Sequence, residues 1–576
     1  MKFTLILGII LDNMFFLKKQ KIIKNINQGE INPEDILIDA SNIPNFNRQQ
    51  MEGTFDHGLD KTYAYVLFSI VLFVLLFFIY KMYDMQVINA SHYQFLAERN
   101  KFRVSPIFPK RGAITDKDDV LLAWNSMSTD SPIITRQYIE DEGFSNLLGY
   151  ISYPKVDKSG VFWQNEYEGK DGLEKQYQSQ LSGKVGSHVF EVSATGEIIP
   201  GKVTLKSEDG IKLHTNIDSK LQSKMYSLIK ELAIDKGFHG GAGAMIDVNS
   251  GEVIAVTSYP EYNNNVMTNY KTNEEKAIIS GWLSDKDNKF SNRVVSGLYT
   301  PGSTVKPFMA YAALDTDTIS PEHSILSTGK LVIKNPYGGP DTVFKDWKAH
   351  GYVDMRHAIA VSSDEYFYQI GGGYMDQKGI GIDNIYRYMS MFGFASSTGI
   401  DIPGEKKGVI PNRDWKVKNY KEGDWKLGDT YHTVIGQYGY QTTPIELLRS
   451  VALLANGVYM PTPRIYGTST IRIYVDLDQD KLKVVRDGMR LAVTDQNIGT
   501  VRSLYVPGID VAAKSGTAEL GVKKDRVNSW VMGYYPYDKP QYAFVIIMEN
   551  GDVKNLVGAS SVMRKLLQYI VENTHL

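Results

Sequence analysis

The chain contains no cysteine. That excludes disulfides and thiolate zinc sites, and it is compatible with export without requiring it. Charge of one sign is lacking too: 63 Lys and Arg stand against 65 Asp and Glu, for a net charge of −2. Such a balance leaves no electrostatic footprint for nucleic acid. Internal repeats and low-complexity segments are absent. The 36 tyrosines are many, but they are spread along the chain and form no basic, aromatic platform in the sequence. What the chain does have is length. Its 576 residues imply more than one domain, because single cores rarely grow past roughly 250–300 residues.

Long apolar runs are also scarce. Residues 3–16, FTLILGIILDNMFF, are broken by Asp12 and Asn13, and no clear small-residue cleavage site follows. A signal peptide, a false upstream start and a membrane-surface helix all remain open for them. From Lys18 to Lys61 the chain is polar and reads as an irregular tail. The exception is Thr62 to Tyr80, TYAYVLFSIVLFVLLFFIY, 19 residues without a charge. That length suffices to span a bilayer, and tyrosines and Lys81 flank it as interface residues do. Arg48 and Lys61 precede the run, while Lys81, Arg99, Lys101 and Arg103 follow it, so local charge does not orient it. Counting the four lysines between 18 and 24 puts the N-terminus inside and the bulk of the chain outside the cytoplasm.

The chemistry centres on YTPGSTVKPFMAYAAL, Tyr299 to Leu314. Ser303 and Lys306 stand three apart, after a Pro-Gly turn and at the start of an apolar helical run. Side chains at i and i+3 share a helix face, so the lysine amine can reach the serine hydroxyl and serve as its base. N–H groups at the helix start would steady an oxyanion there. Alone, S-x-x-K is weak evidence: roughly two or three such tetrads arise by chance in a chain this long. Others occur at Ser152/Lys155, Ser227/Lys230 and Ser327/Lys330. What distinguishes Ser303 is the later presence, in order, of VSSDEYFYQ (361–369) and AAKSGTAEL (512–520).

The remaining pattern is α+β. Residues 84–210 mix short strands and turns around RGAITDKDDVLLAWN (111–125) and DGLEKQYQSQLSGKVG (171–186), with no nucleophile–base pair, which suits a structural pedestal. From Asp218, a candidate N-cap, Leu221, Met225, Leu228 and Leu232 form one helical stripe. GAGAMIDVNSGEVIAVTSYP reads as a hairpin turning at Asn249–Ser250–Gly251. Three strand-like runs near the C-terminus precede a last helix bearing Val562, Met563, Leu566, Leu567 and Ile570 on one face. Strands at both ends of the segment predict an antiparallel sheet completed by both ends of a domain, flanked by helices. The predicted divisions are a cytoplasmic tail (1–61), a membrane helix (62–80), a pedestal (84–210) and a catalytic domain (211–576).

Ser303-Thr304-Val305-Lys306, Ser362-Ser363-Asp364 and Lys514-Ser515-Gly516-Thr517 resemble the S-x-x-K, S-x-N and K-[ST]-G-[ST] elements of the acyl-serine transferases that bind penicillin. RGAITDKDDVLLAWN, GLEKQYQSQLSG, IDSKLQ, DVNSGEVIAVTSYPEYN and NSWVMGYYP are similar to recurring segments of class B penicillin-binding proteins. The Ser-x-Asp triplet, the serine of KSGT and the GLE segment are most similar to the elongation-type subgroup, penicillin-binding protein 2. The resemblance implies a D,D-transpeptidase that cross-links peptidoglycan stem peptides and is trapped by β-lactams. Ser303 would attack the penultimate D-alanine of the D-Ala-D-Ala end. Lys306 would take its proton, provided that burial and nearby Lys514 keep the amine neutral. Ser362 would relay a proton to the leaving amine. Lys514, Ser515 and Thr517 would hold the terminal carboxylate, and Gly516 would let the strand edge approach the peptide. The N–H groups of Ser303 and Thr517 would form the oxyanion hole.

Three places depart from the family pattern. Asp364 replaces the commoner asparagine beside Lys306, so either it is protonated or its charge is offset by Lys514. Asp341, Asp346 and His350 match a structural zinc site of some relatives, but Ser363 stands where that site's cysteine is expected, so no metal and no cofactor is expected. DKDDV (116–120) replaces a more usual Asp-Arg-x-Gly turn. The resemblance further implies a bilayer anchor and a RodA-like glycan polymerase as partner. The alternatives are a D,D-carboxypeptidase and a non-catalytic β-lactam-binding scaffold or sensor. The H-E-x-x-H protease of known sensors is absent, and residues 84–235 are too short for a glycosyltransferase domain.

Overall fold

The computed structural model describes residues 61–94, 102–127, 133–158, 162–192, 198–468 and 471–573. The polar tail before Lys61, the apolar stretch 3–16, and Arg99 and Lys101 lie outside the described residues. The chain divides into two compact units, Met1–Asn100 and Lys101–Leu576.

In the first unit, helix α1 (Lys61–Tyr83) contains the uncharged run and continues as one π-helical turn to Ile88. Over Lys61–Ile88 its mean hydropathy is 2.5 and no side chain is buried. Among the described residues it is the one helix long and apolar enough to cross a membrane.

The second unit begins with small sheets. Strands β1 (Phe102–Ile107), β2 (Ile114–Thr115), β3 (Leu121–Ser126), β4 (Thr135–Tyr138), β5 (Gly186–Val192), β6 (Ile198–Leu205) and β7 (Leu213–His214) form two of them, ordered β1-β5-β6 and β7-β2-β3-β4. The two segments singled out in the sequence meet at one charge. Glu174 is fully buried and accepts from Arg111 Nε at 2.5 Å and Arg136 Nε at 2.7 Å, and both arginines are buried with it. Burial works against that carboxylate, but Arg136 and Arg111 outweigh it and hold its pKa below the usual range. The DKDDV turn closes on Asp116, whose carboxylate accepts the N–H groups of Asp118 and Val120, with Asp119 left-handed at φ 65°.

Helix α2 (Ser219–Lys236) starts where predicted: Asp218 accepts the Leu221 N–H at 2.9 Å. It buries Leu221, Met225, Leu228 and Leu232 on the following sheet. Strands β8 (Gly240–Asp247) and β9 (Val253–Tyr259) form the predicted hairpin. The helices that follow in the chain include α3 (Lys306–Asp315), α4 (Met355–Val361), α5 (Asp364–Gly372) and α6 (Pro444–Asn456). Strands β10 (Ala512–Leu520), β11 (Arg526–Tyr535) and β12 (Tyr542–Asp552) and helix α7 (Ala559–Asn573) close the chain. The five-stranded sheet runs β9-β8-β12-β11-β10, antiparallel throughout, so β8 and β12 join the two ends of the segment as expected. Helices α2 and α7 cover one face, with Val562, Met563, Leu566 and Leu567 in the same core as Met245 and Phe544. Helices α3 and α6 belong to the core on the other face, with Ala244 and Ile246. Strand β10 lies at the sheet's edge, paired only with β11 among the described strands.

Candidate active site

Ser303 lies in a 3-10 turn, Gly302–Val305, from which α3 continues at Lys306. The sequence predicted an α-helical start. In a 3-10 turn side chains at i and i+3 eclipse, which aligns Ser303 and Lys306 more directly than an α-turn would. The turn is held from several sides. Trp530 Nε1 on β11 donates to Thr300 O at 3.0 Å, Gly302 N donates to Gly436 O at 3.0 Å, and Tyr299 bridges Thr442. Gly302 has φ 55°, and a Cβ there would stand 2.6 Å from Thr517 O. Only glycine meets both the left-handed backbone and that close approach. The edge strand and the nucleophile turn therefore touch through backbone.

Lys306 is fully buried, and its three donors are committed. Nζ lies 2.7 Å from Ser362 O, 3.3 Å from Ser362 Oγ and 2.7 Å from Asp364 Oδ1, with the Phe367 ring 5.3 Å away. The resting lysine thus addresses Ser362 and Asp364. Lys514 is also fully buried, and its Nζ lies 2.8 Å from Ser362 Oγ and 2.8 Å from Ser515 O. Its pKa is pushed well below 10.5, first by burial and then by the Lys306 charge, with Asp364 opposing. Both lysines converge on one hydroxyl, so Ser362 has its own proton free to donate towards the cleft. The geometry bears on the Asp364 alternatives: the carboxylate pairs directly with Lys306, and Lys514 feels it only at longer range.

Ser362 is itself strained. It closes α4 in the left-handed conformation, φ 59° and ψ 41°, unusual for a residue with a Cβ. The next residue caps α5: Ser363 Oγ accepts from Tyr366 N and donates to Asp346 Oδ2 at 2.8 Å. On β10 the side chains alternate. Lys514, Gly516 and Ala518 pack inward, while Ser515 and Thr517 lie on the open face. A Cβ on Gly516 would meet Pro301 O at 2.8 Å and Thr304 Cγ2 at 2.7 Å, so the strand seats on the turn only because that position is glycine. The assembled parts are a partly exposed serine, two buried amines sharing a hydroxyl, and an open strand edge. They suit acyl transfer to and from an extended peptide.

Residues 241–568 match the family described as the penicillin-binding protein transpeptidase domain, and residues 131–215 match the penicillin-binding protein dimerisation domain. The chain belongs to the penicillin-binding proteins. The peptidoglycan D,D-transpeptidase MrdA of Haemophilus influenzae is 30% identical over 477 residues, covering 76% of this chain and 69% of that one. The crystal structure of Pseudomonas aeruginosa PBP2 in complex with WCK 5153 is 29% identical, with TM-score 0.67, and covers 82% of this chain and 98% of that one. Helicobacter pylori PBP2, solved in complex with MreC, is 24% identical with TM-score 0.68, covers 82% of this chain and 99% of that one, and bears on the fold alone. These likenesses place this penicillin-binding protein in class B, in the elongation-type group that the sequence resembled.

Of the residues singled out in the sequence, the fold gathers Ser303, Lys306, Ser362, Asp364 and Lys514–Thr517 at one place. The other S-x-x-K pairs are used elsewhere: Lys230 pairs with Glu142, and Ser327 bonds to Glu365. The set Asp341, Asp346, His350 and Ser363 does not fit zinc. Asp341 is spent on Lys334 and Asn335, and the Ser363 hydroxyl on Asp346. Asp346 serves α5 instead, accepting Glu365 N at 3.0 Å. Burial opposes its charge, but His350, Glu365 N–H, Lys306 and Ser363 hold its pKa down at about 2. Sequence reasoning missed Glu365. Its carboxylate accepts the N–H groups of Thr328, Gly329 and Lys330, tying a distant turn to the start of α5. It also missed Trp530 and Gly436 as anchors of the nucleophile turn. The glycines and aromatics of VIGQYGYQTTP (434–444) were the available signal for Gly436.

Proposed function

We propose that this penicillin-binding protein is a serine D-Ala-D-Ala transpeptidase that cross-links peptidoglycan stem peptides during cell elongation and shape maintenance. One observation carries the reading: Lys306 and Lys514 both reach Ser362, beside the turn that presents Ser303 to the open edge of β10. A donor peptide laid along that edge adds a strand to the sheet, with Ser515 and Thr517 hydroxyls at its terminal carboxylate. Ser303 Oγ attacks the carbonyl of the penultimate D-alanine and gives its proton to Lys306, which passes one of its own through Ser362 to Lys514, the amine that burial disposes to be neutral. The developing oxyanion is met by backbone N–H groups of Ser303 and Thr517. Collapse of the intermediate expels the terminal D-alanine, whose amine takes a proton from Ser362. The amine of a second stem peptide then attacks the Ser303 ester and frees the serine. β-Lactams enter the same sequence as mimics of the D-Ala-D-Ala end and stop at the ester.

The same reading assigns the tail to 1–61, the span to 62–80, the pedestal to 84–210 and the catalytic domain to 211–576. It anchors the chain by α1, puts the catalytic domain outside the cytoplasm, and gives it a RodA-like glycan polymerase as partner. No cofactor enters the chemistry. Full-length chain in lipid nanodiscs, supplied with nascent peptidoglycan, tests it: cross-linked dimers and free D-alanine must both accumulate, and Ser303→Ala must abolish both. Release of D-alanine without dimers would establish a carboxypeptidase instead.

A further inference from the structure

Two of the tyrosines scattered through the sequence, Tyr420 and Tyr438, gather with Trp415, Trp425 and His432 in a segment that is bonded to the nucleophile turn. His432, Tyr438 and Tyr420 form a near-parallel series, with ring centroids 6.5 and 5.8 Å apart and interplanar angles of 23° and 9°. Trp415 and Trp425 meet Tyr438 edge-on at 5.6 and 5.9 Å. Tyr438 is a bulky residue at φ 63°, between Gly436 and Gly439, both at φ 77°. A bulky side chain is rarely left-handed, and such strain persists only where its surroundings impose it. Here the surroundings are specific: a Cβ on Gly439 would strike the Trp415 ring at 2.3 Å, and Lys416, paired with Asp429, lies 6.0 Å from the Tyr438 ring. Yet the series is not sealed in the core, since Tyr420 is 47% exposed.

Two links tie this shelf to the cleft. Gly436, two residues before Tyr438, bonds Gly302 beside Ser303, and a Cβ on Gly436 would stand 2.2 Å from Gly302 O. On the other side, the charge of Lys524 acts on His432, and Lys524 sits in the hairpin that carries Lys514–Thr517. Ring faces carry negative quadrupole charge and attract C–H groups. A pyranose ring offers such C–H groups on one face and hydroxyls around its rim. The exposed residues beside the rings, Asn419, Lys421 and Glu422, are polar partners for that rim.

We infer that Trp415, Tyr420, Trp425, His432 and Tyr438 form a saccharide-binding shelf that takes the N-acetylated glycan strand to which the donor stem peptide is attached. This rests on the transpeptidase reading above, because that reaction brings a glycan strand to Ser303 as part of its substrate. The shelf aligns the strand, so that the peptide reaches the β10 edge already positioned.

The test uses full-length chain in nanodiscs, with Ser303 first acylated by penicillin so that the peptide site is blocked. Chitohexaose, a peptide-free chain of N-acetylglucosamine, is the probe, read by saturation-transfer NMR. Transfer to the sugar ring protons must appear in the acylated protein. It must weaken by about tenfold in apparent affinity in Tyr420→Ala, the size of one lost ring contact, and persist in Tyr420→Phe. No transfer in the acylated wild type overturns the proposal and leaves the rings as a packing cluster. Equal binding by Tyr420→Ala and wild type overturns it too. Failure of penicillin to acylate Ser303 would instead strike the parent reading, while sugar binding would still be scored on the unacylated protein.

Discussion

Replacing Glu174 by glutamine should loosen the pedestal while leaving the nucleophile turn in place. The carboxylate lies between Arg111 and Arg136, at 2.5 and 2.7 Å, and all three side chains are buried. Glutamine keeps the shape but turns an amide N–H2 towards one guanidinium and leaves two buried positive charges without a counter-charge. Breaking one partner out of a buried ion group costs about 3–5 kcal/mol. Native-state hydrogen exchange on full-length chain reads that cost locally. Amides of Gly172–Gln176 and Thr135–Tyr138 should lose roughly two to three and a half orders of magnitude of protection, with β11 and β12 unchanged. The triple variant Arg111→Met, Arg136→Met, Glu174→Leu should be less damaged than Glu174→Gln, because it leaves no unpaired charge. The pH dependence follows from the direction of the shift. Since the arginines hold the Glu174 pKa below its unfolded value of 4.5, the stabilisation is present above pH 4.5 and is lost as pH falls through the lower folded value. A protection change below tenfold, or a loss spread evenly over both domains, would refute this account of the pedestal.

Gly516→Ala should slow penicillin acylation at least about 100-fold, since the new Cβ meets Pro301 O and must push β10 off the nucleophile turn; stopped-flow acylation of folded variant checks it. Glu261 accepts Gly143 N at 2.7 Å and Ser145 N at 2.9 Å, and burial pushes its pKa up to about 7. Its contribution is therefore full below pH 4.5 and lost as pH rises through 7. Wild type should lose up to about 3 kcal/mol over that window, with a flat profile in Glu261→Gln, read by thermal unfolding at stepped pH. Asp346→Asn should lower acylation about tenfold by releasing the start of α5, whereas exhaustive chelation of the wild type should change nothing; the same labelling assay reads both.

Much of the site was legible because its parts are local. Ser303 and Lys306 share one turn, Ser362 and Asp364 the junction between α4 and α5, and Lys514–Thr517 one strand, so each shows as a short pattern. The stripe on α2 and the joining of β8 with β12 were legible for the same reason, from periodicity and from strands at both ends of a segment. Pairings across the fold were not. Trp530 meets Thr300 over 230 residues, and Glu365 caps a turn 35–37 residues before it. Nothing in the spacing of Lys306, Lys514 and Asp364 says which lysine the carboxylate meets, because that depends on how α3, α5 and β10 converge. The aromatic shelf was hidden for a different reason. Its residues are close in sequence, but three left-handed positions, Gly436, Tyr438 and Gly439, fold them together, and no helix or strand periodicity marks such a turn.

The central claim is that Ser303 is an acylated nucleophile served by Lys306, Ser362 and Lys514. Intact-mass spectrometry of full-length chain with a fluorescent penicillin, beside Ser303→Ala, tests it most directly. The account predicts one stoichiometric adduct, mapped by peptide digestion to Tyr299–Lys306 and lost in the variant. A folded wild type that takes no adduct, or a variant that takes the same adduct, would contradict it.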